Sequence, residues 1–256
     1  MRSVFIATPS YHTPVTQYYA SMLATIGELE LAGYLVRWRE WEQCCYVHTA
    51  RNKLCSEFLF SGCDNLLFID NDLGWNAKDI VRLCARPEPI VGAAAPFRHG
   101  TPGFPTMVID SATEGEVLKV LVLPTAIMKI KRQVLMALAR AGFAPLRVEY
   151  NHANEELGRY RSFFDFEADE ERHVEYGEDV AFCRKWQRLG GDLWVDPDFT
   201  ITHHGADFRT GNLREHLRAT RAPDRLREQS GEEVVVAGAP GVVATDDSRP
   251  QPEARS

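Results

Sequence analysis

The sequence predicts an α/β fold, Rossmann-like, with a mixed central sheet flanked by helices in a single domain over residues 1–221, followed by a disordered tail over 222–256. Three observations carry that expectation. Short apolar runs typical of strands alternate with segments of helical period through residues 4–95. The most hydrophobic run, Leu66-Leu67-Phe68-Ile69, has four consecutive large apolar residues, as a strand covered on both faces requires. It runs straight into Asp70-Asn71-Asp72, so two carboxylates stand at the carboxyl end of a central strand, where open α/β sheets place their ligands.

Taken in order, residues 4–7 form a short apolar strand that breaks at Thr8-Pro9-Ser10-Tyr11, a hydroxyl-rich turn of the kind that often holds a nucleotide. Residues 15–31 keep a helical period through Tyr18, Met22, Ile26 and Leu29, and Gly33 follows as a C-cap. Alternation over 34–41 suits a half-exposed strand. The next helix opens at Thr49, an N-cap, and stops near Gly62, which puts Arg51 and Asn52 in its first turn facing the strand ends. After the central strand, Gly74 and an exposed Trp75 lead to a short helix through Cys84, capped by Asn76 with Asp79 three residues on. Residues 90–95 form a strand with side chains small enough for a close approach, ending at Pro96-Phe97-Arg98-His99-Gly100. An antiparallel section follows over 106–130 with a turn at Glu114-Gly115, then a helix over 132–141 ending at Gly142. Residues 145–177, acidic and aromatic, predict a mobile loop beside the site. A helix over 176–186, ending at Gly190-Gly191, and two short strands then lead to His203-His204-Gly205.

At 256 residues, with 45% apolar and 25% charged residues, the composition is that of a soluble globular protein. A net charge of −7 argues against bulk attraction to nucleic acid or anionic membrane, though a local basic patch remains compatible with it. The first residues lack a signal-peptide run, and no stretch approaches the ~20 apolar residues of a membrane span, which predicts a cytoplasmic location. The six cysteines mostly sit inside apolar runs, form no CxxC pair and read as reduced, buried thiols rather than zinc ligands or disulfides.

Asp70 and Asp72 repel one another unless a positive charge, most simply a divalent cation, sits between them. The alternative is that one caps the following turn while the other is solvated. Glu178-Asp179 opens a helix, where acids commonly complement the helix dipole. Asp179, however, shares a face with Cys183 and Trp186, which turns its carboxylate inward as a candidate general base. His203 ends a strand and is either structural or a ligand. Only one of His203 and His204 can face a given site, because neighbours on a strand point to opposite faces.

These residues in this order, Thr8-Pro9-Ser10-Tyr11, Ala50-Arg51-Asn52, Phe68-Ile69-Asp70-Asn71-Asp72, Gly177-Glu178-Asp179 and His203-His204-Gly205, resemble the nucleotide-sugar glycosyltransferases of the GT-A fold, in particular family-2-like bacterial and phage members. The resemblance covers residues 3–206. It implies a nucleotide-binding half over about 1–100 and an acceptor half over about 101–221. It further implies Mn²⁺ or Mg²⁺ held by Asp70, Asp72 and His203, with Asp179 as the base of an inverting transfer beside Glu178. Thr8, Pro9, Ser10, Tyr11, Arg51, Asn52, Asp70, Asn71 and Arg98 are then the donor-binding residues, with a UDP-sugar favoured. Pro124-Thr125 departs from the family's pattern, standing where many relatives carry a glycine-rich approach to a strand near the donor sugar.

The rivals are a metal-dependent phosphoesterase or nucleotidyltransferase, and a non-catalytic nucleotide-sugar-binding protein. The acceptor is a saccharide, a lipid-linked sugar or a hydroxymethylated DNA base. Arg209, Arg214, Arg218, Arg221, Arg225 and Arg227 form a basic segment that is either a solvated helix face or a seat for a phosphorylated acceptor.

Overall fold

The computed structural model describes residues 2–42, 44–99, 103–109, 116–205 and 208–220. The chain begins β1 (Arg2–Pro9), α1 (Thr16–Leu31), β2 (Tyr34–Trp41), α2 (Val47–Ser61) and β3 (Asn65–Ile69). It continues through β4 (Leu73–Gly74), α3 (Ala77–Ala85), β5 (Ile90–Ala93), β6 (Leu118–Val120), β7 (Ile127–Lys131) and α4 (Arg132–Arg140). Two hairpins follow, β8 (Leu146–Tyr150) with β9 (Glu156–Arg161) and β10 (Glu167–Asp169) with β11 (Val174–Tyr176). The last described elements are α5 (Glu178–Arg188), β12 (Leu193–Val195), β13 (Thr200–His204), β14 (Phe208–Asn212) and α6 (Leu213–Thr220).

The main sheet has seven strands in the order β2-β1-β3-β7-β5-β12-β6. β1 runs parallel to β2 and β3, and β12 parallel to β5, while β7 lies antiparallel between β3 and β5 and β6 pairs antiparallel with β12. It is therefore a mixed α/β sheet. Alternate residues of its strands feed two cores, one on each face. Phe5, Ala7, Leu66 and Phe68 pack with α2, α4 and α5, whereas Val4, Ile6, Leu67 and Ile69 pack with α1 and α3. Covering on both faces is why β3 reads as an unbroken apolar run.

Helix ends follow local chemistry. Gly62 terminates α2 in the left-handed region at φ 77°, where only glycine sits without strain, and the Asn76 side chain accepts from Lys78 N to open α3. Gly92 explains the small residues of β5. A Cβ there would lie 2.3 Å from the Ile127 carbonyl oxygen, so what approaches closely is the neighbouring strand β7.

Several expectations are corrected. The loop predicted over 145–177 is largely built structure: two hairpins frame Phe163 and Phe164, both fully buried, with Phe164 stacked on Phe182 at 4.4 Å. The acidic, aromatic sequence hides strands that pack on one face only. Trp75 is buried rather than exposed, because its indole N–H donates to Thr25 Oγ1 at 2.9 Å and its ring meets Tyr18. Thr49 lies within α2, which starts at Val47 after Tyr46. Within the 106–130 section, residues 107–109 do pair antiparallel with 119–121, through the Val108–Val120 bridge, Ile109 N to Lys119 O and Leu121 N to Met107 O, both at 2.9 Å, while β7 leaves β6 to run antiparallel between β3 and β5 in the centre of the sheet. The Glu114-Gly115 turn and the 222–256 tail lie outside the described residues.

Candidate functional site

β3 ends at Ile69, and Asp70-Asn71-Asp72 emerge from the carboxyl edge of the sheet beside the end of β1. The Asp70 amide donates to Ala126 O at 2.9 Å, which ties the turn to the start of β7. The next residues form β4, which pairs antiparallel with β13 so that Leu73 stands opposite His203. The His204 amide donates to Asp72 O at 2.9 Å. That small sheet is the local reason Asp72 and His203, 131 positions apart in the sequence, meet: His203 Nε2 lies 3.6 Å from Asp72 Oδ2.

Asp72 borders a cleft of about 210 Å³ lined also by Pro9, Ser10, Tyr11, Arg51, Asp70, Asn71 and Arg98, and His203 stands behind Asp72 and Arg98. Asn71 fixes the first turn to the site by donating to Ser10 Oγ at 3.1 Å and to His12 O at 2.8 Å. Ser10 in turn donates to Glu40 at 2.6 Å. Cys44 and Cys45 also line this cleft, half-buried and exposed respectively, which corrects the buried reading for these two, while Cys55, Cys63, Cys84 and Cys183 are buried.

The charges are arranged in two groups. Arg51, whose side chain is 6% exposed, forms ion pairs with Asp70 at 3.2 Å and with Glu178. Burial raises the Asp70 carboxyl to about 6, an effect that Arg51 moderates and the neighbouring Asp72 charge reinforces. In the second group, Arg98 pairs with Asp72 and its Nε donates to His203 Nε2 at 2.8 Å. Burial pushes the Asp72 carboxyl up, but His203 and Arg98 more than offset it and hold it below its usual value. His203 Nδ1 lies 2.7 Å from Pro96 O, a bond in which the ring must donate. Nε2 is therefore the ring atom turned toward Asp72 and Arg98.

Asp179 opens α5 next to Glu178. Burial and the adjacent Glu178 charge raise its carboxyl, and its Oδ1 accepts from Val180 N at 2.7 Å. It belongs to the Arg51 group electrostatically and does not border the cleft.

The structure thus brings Ser10, Tyr11, Pro9, Arg51, Asp70, Asn71, Asp72, Arg98 and His203 to one place, with Glu178 joined through Arg51. Two expected donor-binding residues do not reach it. Thr8 is buried at 2.5 Å from the Tyr18 hydroxyl. Asn52 is buried on the other side of α2, where Oδ1 accepts from both Phe163 N and Phe164 N at 2.8 Å and Nδ2 donates to Phe164 O at 2.8 Å. Asn52 therefore pins the buried Phe163-Phe164 segment. Arg51 is committed to two carboxylates; nothing in its sequence neighbourhood signals a partner 127 positions away.

Among the described residues, no three His, Cys, Asp or Glu side chains converge as a metal cluster. The pair Asp72 and His203 does suit a hard cation that takes its remaining ligands from phosphate oxygens. Asp72 Oδ1 is buried with no partner among the described residues. The Pro96 carbonyl, at 2.7 Å from His203 Nδ1, holds the ring in the way that backbone carbonyls orient metal-binding histidines. Asp70 is turned to Arg51. No helix among the described residues is long and apolar enough to cross a membrane. Of the basic segment, Arg209 lies on β14 and Arg214 pairs with Asp198 at the start of α6, while Arg221, Arg225 and Arg227 lie outside the described residues.

The sequence matches no protein-family model and no curated protein. Among solved structures, the chain is similar to A197 from STIV, with TM-score 0.48 and 16% identity over 80% of this chain and 86% of that one. It is also similar to a glycosyltransferase involved in the glycosylation of the major capsid of PBCV-1, with TM-score 0.32 and 14% identity over 54% of this chain and 64% of that one. Similarity this remote leaves the function to be argued from the chain's own residues.

Proposed function

We propose that the protein is a metal-dependent glycosyltransferase that moves a sugar from a nucleoside-diphosphate sugar, a UDP-sugar by preference, to an acceptor hydroxyl. One observation carries the reading: Asp72, at the rim of a cleft at the carboxyl edge of the sheet, has one buried oxygen, Oδ1, without a hydrogen-bond partner among the described residues, and its other oxygen, Oδ2, lies 3.6 Å from His203 Nε2. Asp72 and His203 would hold Mn²⁺ or Mg²⁺, with Asp70 beside them. Bound there, the cation would offset the negative charge that gathers on the leaving diphosphate.

The remaining work falls to the chain. Ser10, Tyr11 and Asn71 line the nucleotide side of the cleft. Arg51 keeps Asp70 and Glu178 in place, and through Glu178 it sets the first turn of α5. Asp179 is the base of an inverting transfer. Its raised carboxyl suits proton uptake, and with Oδ1 engaged by Val180 N, Oδ2 takes the acceptor's proton. The acceptor is a saccharide, a lipid-linked sugar or a hydroxymethylated DNA base. The cytoplasm is the compartment that supplies such donors.

The test is a thermal-shift screen of UDP-, GDP- and CMP-sugars with and without Mn²⁺, followed by product analysis of any stabilising donor. Stabilisation by one nucleotide family, dependent on Mn²⁺, supports the proposal. Sugar-independent release of phosphate would instead identify a phosphoesterase.

A further inference from the structure

Arg98 stands where a cation would stand. Its guanidinium pairs with Asp72, and its Nε donates to His203 Nε2, so one side chain uses the outward oxygen of the acid and the lone pair of the imidazole together. These are the two atoms a metal at this place would need. Arg98 is not built in as a structural arginine is. Its side chain is 47% exposed and follows Pro96-Phe97 in a connecting segment, whereas Asp72 and His203 are held at 18% and 16% exposure by β4 and β13. Asp72 and His203 are held by the small sheet, whereas Arg98 reaches them from the solvent side.

We propose that Arg98 is an internal counter-cation that keeps Asp72 and His203 charge-balanced and pointed correctly before ligand arrives, and that a divalent metal must displace it. The inference rests on the cation reading above. A guanidinium and a divalent ion cannot share these atoms at a few ångströms, because two like charges so close repel by more than either gains. The guanidinium pair offsets the desolvation of Asp72 by occupying Oδ2, the oxygen that lies nearest His203 Nε2. Metal affinity in the absence of nucleotide is therefore set low by the protein itself. A cation arriving with a diphosphate brings its own oxygen ligands and competes better, and the released Arg98, already on the rim of the cleft, faces the anion.

The test is direct Mn²⁺ binding, by electron paramagnetic resonance of free Mn²⁺, to the full-length wild-type protein, Arg98→Gln and Arg98→Lys, with circular dichroism showing that each is folded. Without nucleotide, Arg98→Gln binds Mn²⁺ more tightly than wild type by on the order of tenfold, the usual size of a coupling between two ligands. Arg98→Lys, which keeps the charge but cannot reach both atoms in a fork, falls between. With UDP present the gap narrows, because Arg98→Gln loses a phosphate contact. Equal or weaker Mn²⁺ binding by Arg98→Gln overturns the competition while leaving the cation site standing. If no protein binds Mn²⁺ with or without UDP, the cation reading fails and this inference fails with it.

Discussion

Replacing Arg51 by methionine removes the one cation shared by Asp70 and Glu178, and its cost distinguishes a buried network from a surface ion pair. The Arg51, Asp70 and Glu178 side chains are 6%, 27% and 14% exposed, so without Arg51 the Glu178 carboxylate is stranded largely out of water and Asp70 is rehydrated only from its cleft side. Breaking a buried pair from one side costs about 3–5 kcal/mol, whereas exposed pairs are worth about 0–1 kcal/mol. Against a domain stability of about 5–15 kcal/mol the expected loss is a large fraction. Urea unfolding at pH 7.5, followed by tryptophan fluorescence, measures it. Adding Glu178→Gln to Arg51→Met relieves one of the two uncompensated charges and recovers part of the loss, a coupling of about 0.5–3 kcal/mol. A loss below about 1 kcal/mol for Arg51→Met alone refutes the buried-network assignment and returns Arg51 to the role the family resemblance implied, a donor-binding residue.

Other outcomes are expected from the same geometry. Asn52→Ala strips three buried hydrogen bonds from the Phe163-Phe164 segment and costs about 3 kcal/mol in urea unfolding, while leaving UDP affinity by calorimetry within twofold of wild type. Gly92→Ala forces a Cβ to 2.3 Å from the Ile127 carbonyl and costs at least about 1–3 kcal/mol; a neutral result means β5 and β7 are not in this register. Burial raises the Glu167 carboxyl, but Arg188 and Arg184 more than offset it and hold it below its usual value. Its stabilising effect is therefore present above the ordinary glutamate range and is lost as pH falls through the folded-state value, so the gap in melting temperature between wild type and Glu167→Gln closes on acidification. Asp179→Asn keeps donor binding by thermal shift and lowers turnover about 10²- to 10⁴-fold; unchanged turnover removes it as the base.

What the sequence revealed and what it hid divide along the range of the interactions. β3 was legible because burial on both faces leaves a mark in four adjacent residues, and Asp70-Asp72 were legible because acids directly after such a run are chemically costly. Helix ends at Gly33, Gly62 and Gly142 were legible because positive φ favours glycine. The antiparallel insertion of β7 between β3 and β5 was not, since either hairpin pairing or central insertion satisfies an apolar strand of five residues. Phe163 and Phe164 looked like loop aromatics because the polar Asn52 that anchors them lies on α2, 111 and 112 positions away. Arg51 and Arg98 line the cleft with Asp70 and Asp72, but their partners are set by tertiary pairing, and a lone arginine in a sequence carries no sign of which acid it will meet.

The central claim is that Asp72 and His203 make the cleft a cation-dependent seat for a nucleoside diphosphate. Calorimetric titration of UDP into wild type and His203→Ala, each with Mn²⁺ and with EDTA, tests it most directly. The account predicts Mn²⁺-dependent binding by wild type that falls to the EDTA level in His203→Ala. UDP affinity that is the same in all four titrations would contradict it.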